Sequence, residues 1–314
     1  MKKPLIVLTG PTAVGKTELS IGLAKAVNGA IISADSIQVY KYMDIGSAKI
    51  TPDEMQGIKH YLVDCLDPLE PFDVATFQKM AKNAMNEIYA NGQIPIIVGG
   101  TGFYIQSVVK DIEFETEDRD DSYRKELERF VRDNGEIALH EMLREIDPEA
   151  ADEIHANNVK RVIRAIEFYH KNEMKISEHN KAQKAKPSPY NYAYFVLNDK
   201  RETLYERIDK RVDIMVERGL VDEVQRLKNM GYSRGLVSMQ GLGYKEIMAY
   251  LDGECSLDEA INIIKRDTRH FAKRQLTWFR REQGVNIIAK DEFDHDNDRI
   301  LAAMLDILKN KQIV

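Results

Sequence analysis

GPTAVGKT, residues 10–17, decides how the rest of the chain is read. It matches GxxxxGK[ST] at every fixed position, through Gly10, Gly15, Lys16 and Thr17. Residues 4–9 ahead of it form an apolar run that reads as a buried strand. Residues 16–27 behind it have helical periodicity, with Leu19, Leu23 and Ala26 on one face. A strand, a small-residue loop and a helix start are what phosphate binding requires. The loop of Gly10, Pro11, Thr12, Ala13, Val14, Gly15, Lys16 and Thr17 turns backbone N–H groups inward around phosphate oxygens, and the helix N-terminus adds a favourable dipole. Lys16 brings a point charge to the terminal phosphates, and the Thr17 hydroxyl is the expected Mg²⁺ ligand. The competing reading is an ordinary glycine-rich turn, which the complete motif in its context outweighs. By motif alone the loop is an ATP-type nucleotide-binding loop. It names neither the polyphosphate nor the reaction.

Outward from the loop, strands alternate with helices. Apolar runs at 30–33 and 94–98 read as second and third strands, with a helix over 74–89 between them. Tyr192 begins another strand to 197, and 286–289 is a short final one. Helices are expected over 202–230, with a break near Gly219, over 256–281 and over 299–309. This is an α/β protein: a P-loop NTPase-like parallel sheet flanked by helices. Composition shifts at Asp111, where residues 111–121 hold seven acidic side chains and one basic one. From Ser122 to Lys184 only helical patterns occur, broken at Asn134-Gly135 and Asp147-Pro148, until Pro187-Ser188-Pro189. Residues 1–111 and 190–314 therefore read as the α/β core, and 112–189 as an all-helical insertion domain.

The composition excludes several classes. The 314 residues are 43% hydrophobic and 31% charged, with a net charge of −6, so disorder, collagen and disulfide scaffolds are ruled out. Cys65 and Cys255 stand far apart and neither belongs to a CxxC pair, which argues against structural zinc and for a reducing cytoplasm. The seven histidines form no HxxxH cluster. No segment approaches the roughly 20 apolar residues of a membrane span. The apolar start is too short for a signal peptide. No membrane partner is expected, and the protein is expected to act as a cytoplasmic monomer.

Asp35 follows the second strand. A carboxylate there beside a phosphate loop suits Mg²⁺ binding or proton acceptance; helix capping is the alternative. The strand at 94–98 ends in Gly-Gly-Thr-Gly where a motor or switch ATPase has an acidic residue.

Taken together, GPTAVGKT at 10–17, DSIQVYKYMDIGSAK at 35–49, HYLVD at 60–64, PFDVATF at 71–77, GGTGFY at 99–104, NNVKRVIRAIE at 157–167, GLGYKE at 241–246 and TRHFAKRQLTWFR at 268–280 resemble the bacterial tRNA dimethylallyltransferases. The motifs span nearly the whole chain, and DSIQVY and GGTGFY are specific. The zinc finger of eukaryotic members has no cysteines here, so the resemblance is to the bacterial form. It implies transfer of a dimethylallyl group from dimethylallyl diphosphate to N6 of adenosine 37, beside the tRNA anticodon, with release of diphosphate. The loop would then hold a leaving group, with Mg²⁺ as cofactor. Asp35 matches the family's general base. Thr101 matches a residue that contacts the target nucleotide; the other reading of its hydroxyl is a bond to the loop backbone. Ser36, Ile37 and Gln38, with Asp35, match a tRNA-contacting stretch. Arg211 resembles an arginine near the substrate diphosphate, against the alternative of a solvated helix face. A stacked anticodon-loop base must be extruded to reach a buried site, which implies a channel through the core, with the insertion clamping the anticodon stem-loop.

By net charge an acidic chain is a poor partner for RNA, but here the charge is segregated. Residues 157–186 carry a balance of +5 and residues 265–281 a balance of +6, leaving −17 for the rest. Such segments are the electrostatic footprint of phosphate-backbone binding, although solvated helix faces look the same. Val159, Val162, Ile163 and Ile166 form a core stripe, with Lys160, Arg161 and Arg164 off it as candidate tRNA contacts. Phe271, Leu276, Trp278 and Phe279 suit base stacking, with core packing favoured for most. Two alternatives to a tRNA prenyltransferase are a P-loop kinase of a nucleoside or small metabolite, and a nucleotide-dependent RNA-binding switch.

Overall fold

The computed structural model describes residues 2–114 and 122–314. Two compact units emerge: Met1–Asp111 with Pro189–Val314, and Ile112–Ser188. The chain re-enters the first unit at Pro189, one residue earlier than the expected 190. Most of the acidic run at 111–121 falls at 115–121, outside the described residues.

In chain order the elements are β1 (Lys3–Thr9), α1 (Lys16–Ala26), β2 (Gly29–Ala34), α2 (Pro52–Met55), β3 (His60–Tyr61), α3 (Val74–Ala90), β4 (Ile94–Gly99) and α4 (Gly102–Val109). The second unit contains α5 (Ser122–Ile146), α6 (Pro148–Glu153), α7 (Val159–Asn172) and α8 (Ile176–Ala185). The first unit resumes with β5 (Tyr190–Asn198), α9 (Arg201–Glu217), α10 (Leu220–Asn229), α11 (Tyr244–Leu251), α12 (Leu257–Phe279), β6 (Val285–Ala289) and α13 (Asn297–Asn310). The sheet order is β3-β2-β4-β1-β5-β6, and every pairing is parallel.

The unbroken apolar run of β1 follows from this arrangement. Leu5 and Val7 enter the core on one face of the sheet, Ile6 and Leu8 the core on the other. A central parallel strand covered by helices on both sides has no solvent face on which to place polar residues. The chain leaves β1 toward β2 and leaves β4 in the opposite direction toward β5. The topological switch point therefore lies between β4 and β1, opening a crevice beyond their carboxyl ends.

Two sequence expectations change. The strand at 94–98 is the fourth, because the two-residue β3 precedes it and is too short to show periodicity. The GGTG segment opens into an eight-residue helix, α4, where only a loop was read. The break at Gly219 is real: at φ 93° it ends α9 and starts α10. In the helical unit, Gly135 at φ 87° interrupts α5, and Asp147 accepts from the Ala150 N–H to cap α6. Val162, Ile163 and Ile166 are buried in that unit's core, with Val159 packed against it, while Lys160, Arg161 and Arg164 are exposed on α7. Phe279 is buried, Phe271 and Leu276 are half-buried, and Trp278 is exposed.

The long loop after β2 is held from α10 and α11. The buried Glu223 carboxylate accepts from the backbone N–H groups of Asp44, Ile45 and Gly46 at 2.8–3.1 Å and from the Tyr244 hydroxyl at 2.8 Å. Tyr244 Oη in turn accepts from Ser47 N–H at 3.1 Å, and Gly46 leaves no room for a Cβ against the Tyr244 ring. Replacing Glu223 by Ala strands the buried Tyr244 hydroxyl and three part-buried N–H donors, a buried one being worth about 1–3 kcal/mol when unpaired. The expected loss is at least about 3 kcal/mol in urea unfolding; a variant as stable as wild type contradicts this account of the loop.

Candidate functional site

Three strands end in one row. Thr9 pairs with Gly99, and Gly99 with Ala34. Thr9 Oγ1 donates to the Gly99 carbonyl at 2.6 Å. The next residues of the three segments are Gly10, Gly100 and Asp35, so the phosphate loop, the GGTG turn and the candidate base emerge side by side. Glycine is required where the backbones touch. A Cβ on Gly99 would sit 2.3 Å from the Ala34 carbonyl oxygen, and one on Gly10 2.5 Å from that of Leu197.

Within the loop, Lys16 Nζ donates to the carbonyls of Gly10 at 3.0 Å and Pro11 at 2.9 Å. Burial, then the Arg211 charge, push its pKa down to about 8, with Asp35 acting in the opposite direction. Arg211, on α9, is half-buried, and burial lowers its pKa too, against Asp35 and Glu54. Lys16, Arg211 and Asp35 therefore share one electrostatic neighbourhood. Arg211 is not on a solvated helix face.

Asp35 performs the capping-type role with one oxygen only. Its Oδ1 accepts from the N–H groups of Ile37 at 2.8 Å and Gln38 at 3.2 Å. Among the described residues Oδ2 accepts no hydrogen bond. Thr101 N–H donates to the Ala34 carbonyl at 3.2 Å, which seats Thr101 beside the Asp35 segment. Thr101 is the N-cap of α4, yet its side chain makes no capping bond. Gln38 Nε2 donates to the carbonyls of Ser47 and Ala48 at 3.3 and 3.1 Å, and Ile37 packs against Gly241. Both brace the loop that Glu223 holds from the other side. Ser36 lies half-buried beside them. Lys160, Arg161 and Arg164 belong to the other unit.

Gln275 of α12 carried no role in the sequence reading. Buried, its side chain accepts from Thr12 N–H through Oε1 at 2.9 Å and donates to the Gly100 carbonyl through Nε2 at 3.0 Å. One amide thus ties the phosphate loop to the turn that carries Thr101. A separation of 263 residues leaves no local signal for it. One turn away, Trp278 lies against Gly102, where a Cβ would fall 2.2 Å from its ring, and meets Phe103 edge-on at 6.3 Å. Trp278 also lines, with Lys273, Arg274 and Arg281, an open cavity of about 400 Å³.

Thr17 is exposed at the start of α1. Among the described residues no group of three His, Cys, Asp or Glu side chains could hold a metal. A single hydroxyl suits Mg²⁺ in the way that ion is usually bound beside polyphosphates, with substrate oxygens and water completing its shell.

A GxxxxGK[ST] loop and a strand-end carboxylate at the switch point of a parallel sheet define a protein of the P-loop NTPase-like fold class. Comparison with known proteins narrows this. A family model described as IPP transferase matches residues 38–282. The tRNA dimethylallyltransferase of Lachnoclostridium phytofermentans is 60% identical over 312 residues, 99% of each chain. That of Acetivibrio thermocellus is 53% identical over 292 residues, 93% of each. The crystal structure of a full-length tRNA isopentenylpyrophosphate transferase from Bacillus halodurans superposes with a TM-score of 0.73 at 44% identity, covering 99% of this chain and 98% of that one. A eukaryotic dimethylallyltransferase described as acting on tRNA superposes with a TM-score of 0.80 at 30% identity, covering 98% and 80%. The chain belongs to the IPP transferase family.

The lowered pKa of Lys16 predicts that oxyanion affinity at this loop depends on pH in a defined direction. A bound oxyanion favours the charged ammonium, whose pKa in the free protein is about 8. Affinity is therefore full below pH 8 and is lost as pH rises through it, by about tenfold per unit. Sulfate, whose charge is constant over this range, is the probe. A sulfate dissociation constant that stays flat from pH 7 to 10 contradicts the assignment.

Proposed function

We infer that the protein transfers a dimethylallyl group from dimethylallyl diphosphate to N6 of adenosine 37 of tRNA, releasing diphosphate. One observation carries this. A phosphate loop and an uncommitted carboxylate oxygen open onto the same crevice, in a chain 60% identical to a tRNA dimethylallyltransferase. Relatives that move a prenyl group displace the kinase alternative.

The proposed roles follow from charge. As the C1–O bond breaks, its electron pair passes to the bridging oxygen of the diphosphate. Loop N–H groups of residues 10–17, Lys16 and Arg211 stabilise the charge that develops there. Bound Mg²⁺, held by Thr17, would neutralise further diphosphate oxygens. N6 attacks C1, and the C1–N6 bond replaces C1–O. Adenine N6 is a weak nucleophile because its lone pair is delocalised into the ring. Loss of its proton to Asp35 Oδ2 during attack lowers the barrier. The uncapped Thr101 hydroxyl holds the target nucleotide beside Asp35. Asp35, Ser36, Ile37 and Gln38 shape the tRNA side of the crevice, with the target base extruded from its stack. Lys160, Arg161 and Arg164 bind phosphates of the anticodon stem-loop, and the protein acts as a cytoplasmic monomer.

Labelled dimethylallyl diphosphate should mark unmodified tRNA without ATP, and nucleoside digestion should place the label on adenine N6. Failure with several cognate tRNAs ends this reading. Asp35→Asn keeps the Oδ1 acceptor for residues 37 and 38 and removes only the base. Transfer should fall by about 10²–10⁴ with tRNA binding largely kept; full activity removes Asp35 from the base role.

Reversing Lys160, Arg161 and Arg164 to Glu tests the helical unit. Binding of tRNA should weaken, and the dependence of log affinity on log salt should flatten by about one unit per lost contact. Unchanged affinity across several salt concentrations counts against these contacts.

A further inference from the structure

Lys290 lies outside every motif read from the sequence. It follows β6 directly, in the 3₁₀ turn Lys290–Phe293, at the carboxyl edge of the sheet where the phosphate loop also lies. It is 6% exposed. A buried ammonium carries three donors and needs acceptors or a counter-charge. Lys290 Nζ has one acceptor, Asn297 Oδ1, at 3.3 Å. Asp199 is the nearby carboxylate, and its own bonds are already made. It accepts from Arg207 at 2.8 Å, from Lys200 N–H at 2.8 Å, and pairs with His295 Nε2 at 3.0 and 3.1 Å. Among the described residues no carboxylate lies within ion-pair distance of Lys290. Burial, then the Arg207 charge, lower its pKa, with Asp199 and Glu18 acting in the opposite direction.

The ammonium is directed at the phosphate loop. A Cβ on Gly15 would lie 3.0 Å from Lys290 Nζ. Gly15 therefore has two reasons to be glycine: its φ of 91° and the approach of this lysine. Lys16 touches the start of the loop, at Gly10 and Pro11, and Lys290 approaches its end.

We propose that Lys290 is a third cationic residue of the diphosphate site, beside Lys16 and Arg211, whose unmet donors and charge serve the oxygens of the prenyl diphosphate and of the diphosphate released. The proposal rests on the transfer reading and deepens it. A lysine kept buried with one weak acceptor costs stability in the free protein. That cost is recovered when a dianionic group binds next to it.

The test is inorganic diphosphate binding by calorimetry, with thermal unfolding of the free proteins alongside. Lys290→Met keeps the length of the side chain and removes the charge. The free variant should be at least as stable as wild type, yet its dissociation constant for diphosphate should rise about 10- to 100-fold. Lys290→Arg should recover part of that loss, and tRNA affinity should not change. A structural lysine gives the reverse pattern: lowered stability with an unchanged diphosphate constant, which overturns the proposal. If Lys290→Met and Lys290→Gln both fail to fold, Lys290 is structural and the proposal also falls. Wild type that transfers the prenyl group, beside a Met variant of unchanged diphosphate affinity, removes Lys290 alone. Wild type that binds no diphosphate removes the transfer reading with it.

Discussion

Everything at this site depends on backbone contact between the ends of three parallel strands. Gly99 lies against Ala34 so closely that a single methyl group would collide with the Ala34 carbonyl oxygen at 2.3 Å. Thr9 closes the other side of the row through its hydrogen bond to Gly99. Because β2, β4 and β1 finish at the same height, the residues that follow them share a crevice without any long side chain having to reach across. That geometry places residues 10–17 on one side of the crevice and Asp35 and Thr101 on the side beyond β2 and β4.

The electrostatics of the crevice are those of a site awaiting an anion. Lys16 is pushed down to about 8 by burial and by Arg211, and Arg211 is itself lowered by burial. Asp35 is the acidic group common to both and cannot neutralise two cations. A shift of that size on Lys16 corresponds to about 3 kcal/mol spent holding its charge in the free protein. An anion bound beside Lys16 relieves that cost on binding, and only the part of the contact that strengthens as further negative charge develops lowers a reaction barrier.

How much of this was legible in the sequence depended on range. The strand–loop–helix around residues 10–17, the strand-end position of Asp35 and the two breaks in the helical unit are local patterns, and each stands where it was read. β3 and α4 were missed because two and eight residues are too few to show a period. Gln275, Glu223 and Lys290 were missed for a different reason. Each acts on a loop far away in sequence: Gln275 on Thr12, Glu223 on residues 44–46, and Lys290 on Gly15. On its own helix or turn, each is an unremarkable polar residue. Arg211 was found only through resemblance, since its neighbours Arg207, Lys210 and Arg218 make the same local pattern.

The net charge of −6 is the least informative number about partners, and the structure shows why. In the helical unit the apolar stripe of α7 turns inward with Val162, Ile163 and Ile166, which obliges Lys160, Arg161 and Arg164 to face water together. On α12, burying Ala272, Gln275 and Phe279 leaves Lys273, Arg274 and Trp278 outside, with Arg281 exposed just beyond its end. Helical periodicity thus converts a charge run into a one-sided basic face whenever the other side is needed for core. Buried Gln275 reaches the phosphate loop from the same helix that presents these cations to solvent. A polyanion drawn to the outer face of α12 would therefore meet a helix already fastened, through Gln275, to the Thr12 and Gly100 turns.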